Sequence, residues 1–399
     1  MTTIATADRG ALQRMLQVQP TLTAISNAGT TLQLAEKELL HAGPPILDKS
    51  TMAQPILNSA IAAVLFEGWA NDIESARQLV LSDAVRLTPA QDKNTAIPLA
   101  DVLSASMSVL HVQDAAQPTH VAYSSINGGD GPVTRVGVVN DEVVQRLHYI
   151  YGPIAQQLDQ LLAQRSIALL PIAEQAIVQE DDLHGRTAQA SALLFQALSD
   201  AQELDTESMQ FIQRSAAFFL NVWMAASLCT LLSAEHTASS SSIIRMGSNG
   251  VDFGFQIAAL PGQWFTSPAQ APFIPDATAE VRERALGAIG DSAVVDALGY
   301  GAMLHAYAPQ TISRLCLAAE QSGNAIPEQL LTSAPTVYAA LPNFKTGLTA
   351  QAVVTEQQGP VISLGVLDRH GEKGRLDGGF FFAPIAPFAA ALHALNEGI

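Results

Sequence analysis

The chain has 399 residues, 14% of them charged and 48% apolar, with a formal net charge of −17. That length calls for two or three domains and a large buried core. So few charges leave much of the chain to be buried in the fold or against other subunits, and a homo-oligomer is expected. The acidic balance excludes nucleic-acid binding, which needs a basic face for phosphates.

In chain order, residues 1–36 read as a polar, helical lead-in. Leu39-Leu40-His41-Ala42-Gly43-Pro44-Pro45-Ile46 is a short strand whose end is forced to turn and then held stiff. Such an end presents ligand contacts or is simply a rigid turn. Residues 52–67 form an apolar helix and 72–81 a second, with Asp72 as its N-cap. Val102-Leu103 and Val109-Leu110-His111-Val112 read as strands. The strand at 120–123 leads into Asn127-Gly128-Gly129-Asp130-Gly131-Pro132. The glycine amides of that turn can point inward as an anion nest, or the turn is an ordinary hairpin. It lacks the Lys-Ser or Lys-Thr of a phosphate loop. Arg135 follows and can bring a cation to the same place.

From 141 to 235 strand signals vanish. Helices are expected at 141–151, 154–164, 167–178, 187–201 and 207–234. Residues 215–234 carry no charge. A helix apolar all round is a membrane span or the centre of a large protein. Asn221, Ser227, Thr230 and Ser233 within it, and the lack of a second candidate span, favour a buried central helix and no membrane. At its head lies a polar knot, Glu180-Asp181-Asp182-Leu183-His184-Gly185-Arg186, at the mouth of the core. Ser239-Ser240-Ser241-Ser242 reads as a linker or tight loop. Strands return at 243–246, 253–257 and 264–266, followed by a helix at 277–286. Gly290-Asp291-Ser292 opens another helix and offers amides to an anion, or Asp291 or Ser292 merely caps it. Strands at 361–366 and 380–382 enclose a loop bearing Arg369, His370, Lys373 and Arg375, read as a solvated hairpin tip.

The fold class read from this order is α+β (mixed α/β), with two α/β domains, 1–144 and 241–399, flanking an all-helical domain, 145–240. Cys229 and Cys316 have neither metal nor disulfide spacing and read as buried free thiols. The N-terminus, Met1-Thr2-Thr3-Ile4-Ala5, has no basic start or apolar segment, so the protein is expected to be cytoplasmic. No nucleophile elbow, His-Glu-x-x-His or CxxC is present. Asp181, Asp182 and His184 give a weak zinc signal and a stronger capping one. No metal and no cofactor are assigned, and a metal-dependent hydrolase stays as a minor alternative.

Several blocks in order resemble one family, the YlbE/YahG/AllG type. They are Leu39-Leu40-His41-Ala42-Gly43-Pro44-Pro45, Leu65-Phe66-Glu67-Gly68-Trp69-Ala70, Ser104-Ala105-Ser106-Met107 and the turn at 127–131. His184-x-Arg186, Phe218-Phe219-Leu220-Asn221, Trp264-Phe265-Thr266-x-Pro268 and Gly290-Asp291-Ser292 complete the set. The resemblance implies a subunit of an oxamate carbamoyltransferase, which relates oxalurate and phosphate to oxamate and carbamoyl phosphate in purine and allantoin breakdown. It implies an FdrA-like partner subunit resembling succinyl-CoA synthetase and a small anionic substrate. On that reading His184, Arg186, Asp291 and Ser292 are catalytic, with His184 as acid–base or orienting group. His41, Gly43, Asn94, Asn127, Gly128, Gly129, Arg135, Asn221 and Gly290 bind the substrate. The chain departs from the family pattern at Ile97-Pro98-Leu99-Ala100-Asp101, where glycines are expected, and at Leu228, where a lysine is expected. It departs again at Leu286-Gly287-Ala288 and Gly301-Ala302. Lost glycines and a lost lysine also fit a non-catalytic scaffold subunit.

Overall fold

The computed structural model describes residues 3–126, 133–199 and 206–397. The architecture is mixed α and β. The largest sheet has the order Thr95–Ala96, Val121–Ser125, Ser108–Asp114, Pro20–Asn27, Ile167–Ala168. Its three long strands are antiparallel, with Leu22 opposite Val112 and Ile25 opposite Leu110. Pro20–Asn27 corrects the expected helical lead-in, of which only Ile4–Met15 and the short Ala28–Thr31 are α-helix. A second antiparallel sheet runs Phe265–Pro268, Asp252–Ile257, Ile243–Asn249, Ile289–Gly290. A third places Glu38–His41 between Arg86–Pro89 and Val102–Leu103. Val361–Leu367 and Arg375–Phe382 form a hairpin with Gly365 opposite Gly378.

The helix Phe218–Leu232 packs against strands of both larger sheets and against the helices Ala188–Ser199 and Ala293–Ala297. Its apolar residues face the core on every side because there is protein on every side. Trp223 is 2% exposed; it stacks on Phe219 at 5.5 Å and meets the edge of Tyr300 at 5.1 Å. No helix among the described residues is long and apolar enough to cross a membrane. The expected single helix at 207–234 is two, Thr206–Arg214 and Phe218–Leu232. The break is held by the hydroxyls of Thr187 and Ser191, which donate to the Ala216 carbonyl at 3.0 and 2.8 Å.

Among the described residues the span 145–240 contains one strand, the two-residue Ile167–Ala168. Its apolar residues join the same core as those of the flanking sheets. A second core lies between the Glu38–His41 sheet and the helix Gln54–Phe66. Asp72 caps as expected, accepting from the Ser75 amide at 2.8 Å. The serine run is no loose linker. Ser240, Ser241 and Ser242 are buried, and the Asp8 carboxylate accepts the Ser240 hydroxyl at 2.8 Å and the Ser241 amide at 2.6 Å. Cys229 is buried, but Cys316 is exposed on the outer side of its helix.

Candidate functional site

A cleft of about 520 Å³ opens between the polar knot, the start of the central helix and the C-terminal hairpin. The knot is a tight turn built around one carboxylate. Asp182 Oδ1 accepts the amides of His184 at 2.8 Å and Arg186 at 2.9 Å, and Oδ2 accepts the Thr311 hydroxyl. Asp181 faces the other way and accepts the Ala190 amide at 2.9 Å at the start of the next helix. Burial outweighs that bond and pushes its carboxyl up to about 6. Both acids are thus committed to protein donors, backbone amides and the Thr311 hydroxyl, much as capping groups are. Among the described residues no cluster of three His, Cys, Asp or Glu side chains is placed to hold a metal ion.

The turn delivers His184 to the cleft, and behind it stands Asp296, its Oδ2 2.6 Å from His184 Nδ1. Both side chains are almost wholly buried. Burial pulls the imidazole pKa down, but the charge and hydrogen bond of Asp296 carry it above the ordinary value.

Four arginines line the cleft: Arg135, Arg186, Arg314 and Arg375. Arg135 Nε is buried with no hydrogen-bond partner among the described residues. Burial and then the like charge of Arg375 lower its pKa, against the pull of Asp101. The guanidinium stays charged even so. Arg375 lies over the paired glycines of the hairpin: a Cβ at Gly365 or Gly378 would come within 3.4 Å of its guanidinium group. Arg314 donates to the Gly378 carbonyl at 3.3 Å and sits 3.8 Å from Asp377.

The cleft brings together five of the expected residues: His184, Arg186, Arg135, Asn221 and Ser292. Others lie elsewhere. Asp291 is fully buried at a junction between distant segments and does not line the cleft. Its Oδ1 accepts the Gly43 amide at 2.8 Å and Gln91 Nε2 at 2.6 Å, and its Oδ2 accepts the Ile97 amide at 3.0 Å. Gly43 and Gly290 serve that junction; a Cβ on Gly290 would come within 2.8 Å of the Leu99 nitrogen. His41 is buried beside it, Nδ1 donating to the Ala42 carbonyl at 2.8 Å, and burial pulls its pKa down to about 4. Asn94 accepts from Arg245 at 2.9 Å and lines a separate groove with Lys93 and His120. Asn127, Gly128 and Gly129 lie outside the described residues.

Sequence reading missed Asp296, Thr311 and Arg314, and took Arg375 for part of a solvated tip. Its neighbours at that tip are spent locally: Lys373 pairs with Glu280, and Glu372 with Arg284. Asp296 did carry a signal, being a lone carboxylate in the apolar run Ala293-Val294-Val295-Asp296-Ala297. A charge buried there needs a partner.

Residues 85–292 match the family model described as oxamate carbamoyltransferase subunit AllG. The chain belongs to the AllG family. It is similar to the oxamate carbamoyltransferase subunit AllG of Escherichia coli strain K12, with 28% identity across 100% of this chain and 99% of that protein. It is also 28% identical to the uncharacterized protein YahG of the same strain, across 98% of this chain and 85% of that protein. Its fold is close to a crystal structure of a conserved protein of unknown function from Enterococcus faecalis V583. The TM-score is 0.88 at 26% identity, with 99% and 98% of the two chains covered.

Proposed function

We propose that this AllG-family chain is a subunit of an oxamate carbamoyltransferase-like complex and holds a small anionic substrate in the arginine-lined cleft. The observation that carries the reading is the buried, unpartnered Nε of Arg135, with Arg375 beside it as a like charge. Asp101 acts on Arg135 as a charge, but a buried guanidinium N–H left without an acceptor is still costly. A small anion between the two guanidiniums supplies two charge-assisted, directional bonds at once. Arg186 and Arg314 add charge at the same cleft, and His184 takes the acid–base or orienting role. The partner is an FdrA-like subunit resembling succinyl-CoA synthetase, in a cytoplasmic complex in which this chain also associates with copies of itself.

One observation favours a second reading, a non-catalytic scaffold. Leu228, which stands where the family pattern has a lysine, is fully buried in the apolar core and offers no charge to a ligand. Calorimetric titration with phosphate, oxamate and carbamoyl phosphate, partner subunit present, separates the two. The anion reading expects at least one of them to bind, and Arg186→Leu to weaken binding by about 1.5–3 kcal/mol, tenfold or more. No binding, or an unchanged affinity in the variant, leaves the scaffold reading standing.

A further inference from the structure

The arginines account for an anion, but not for the carboxylate buried behind His184. Asp296 Oδ1 accepts two amides from two other segments, Ala302 at 3.1 Å and Ser363 at 3.2 Å. Turning the carboxylate would break both bonds, so Oδ2 is fixed where it meets His184 Nδ1 at 2.6 Å. Gly301 packs against the pair from behind. Its φ is +58°, and a Cβ there would stand 2.5 Å from Asp296 Oδ1 and 2.9 Å from His184 Cβ. The backbone of His184 is held separately, by Asp182. A proton on Nδ1, donated to the carboxylate, leaves Nε2 as the lone-pair nitrogen. Nε2 has no hydrogen-bond partner among the described residues, and His184 lines the cleft.

We propose that Asp296 is a positioning residue that keeps the His184 proton on Nδ1 and presents Nε2 to the cleft as the proton acceptor of the transfer reaction. This rests on the cleft being the anion site of a carbamoyl-type transfer. The nucleophile's N–H or O–H proton passes to Nε2 as its lone pair forms the bond to the carbonyl carbon. The bond to the leaving group breaks with its electron pair going to that group, which takes the proton back from the imidazolium. Asp296 stays ionised throughout and offsets the transient positive charge. The charged groups that act on the ring are Asp296 and Asp182, which favour its protonation, and Arg375, which opposes it.

The test is nuclear magnetic resonance of the full chain with isotope-labelled histidine, the His184 signal among nine identified by its loss in His184→Gln. The expected result is an Nδ1–H tautomer at high pH and a titration midpoint above the ordinary value of about 6.5. Asp296→Asn keeps an oxygen for the two amides but turns an NH₂ group towards Nδ1. The proton should then move to Nε2 and the midpoint fall by about one unit or more, since it loses a neighbouring negative charge. In the assembled complex, supplied with oxamate and carbamoyl phosphate, the acid limb of kcat/KM should move down in pH with that midpoint. A uniform loss of rate at every pH would mean a merely structural role. An Nε2–H tautomer in the unmutated chain overturns the proposal without need of the variant, as does an unchanged tautomer in Asp296→Asn. Failure to bind phosphate while the Nδ1–H tautomer is present would strike the anion-site reading instead.

Discussion

Asp291 and Asp296 stand five positions apart, yet their roles run opposite to their sequence surroundings. Asp291 sits in a polar Gly-Asp-Ser turn and reads as a site residue; Asp296 sits among alanines and valines and reads as core. What decides is the partner set, and the partners of Asp291 are 248 and 200 positions away, at Gly43 and Gln91. Those donors, with the Ile97 amide, occupy both oxygens and leave none for a ligand. No local pattern reports that. Burial outweighs the three donors and pushes the Asp291 carboxyl up to about 7, from an ordinary value of 3.8. A folded value above the unfolded one stabilises fully below about pH 4 and is lost as pH rises through about 7. Asn cannot ionise, so the stability of the unmutated chain relative to Asp291→Asn should decline across that window by about 1 kcal/mol or more. It should then stay flat above it. Denaturant unfolding of both chains at pH 4, 5.5, 7 and 8 checks this; a difference that does not change with pH would show that Asp291 stays ionised throughout.

At the scale of elements, the central helix was legible because an uncharged run punctuated by small polar residues has only two physical outcomes. Its true start was not. Ser215, Ala216 and Ala217 are compatible with helix, and the break comes from hydroxyls at and just before the start of another helix, Ala188–Ser199, that capture the Ala216 carbonyl. The strand Pro20–Asn27 was hidden for a similar reason. Its apolar side is sparse, Leu22 and Ile25, and becomes a buried face only when Val112 and Leu110 lie opposite. Arg375 was legible as charge but not as a site residue, since only the bare glycines at 365 and 378 let it fold back over the hairpin. The central helix also carries the most exacting packing. Replacing Trp223 by Ala removes its contacts with Phe219 and Tyr300 and should cost about 3–5 kcal/mol. Denaturant titration should show that loss as a shift in midpoint with little change in slope. A loss below about 1 kcal/mol would mean that the surrounding side chains close the cavity, contrary to a core held from both sheets.

For the molecule as a whole, the cleft and the net charge oppose each other. The chain carries −17 in all, yet the cleft at the polar knot presents four guanidiniums. Their reach differs. In about 10 mM salt the screening length is about 30 Å, and an approaching anion meets the summed repulsion of the acidic surface. At about 150 mM it falls to about 8 Å, and only groups at the mouth of the cleft are felt. The arginines act across a few ångströms in a partly desolvated site, where screening changes little. Added salt should therefore speed the entry of a small anion before it competes for the arginines, the reverse of attractive steering, which salt slows. The expected outcome is a phosphate association rate that rises from about 10 to about 150 mM ionic strength, set with a weakly binding salt and followed by phosphorus line broadening. Dissociation should change less, because it depends on contacts inside the cleft. A rate that falls throughout that range would mean that the arginine field already governs the approach from outside. The acidic surface would then be irrelevant to how the cleft is filled.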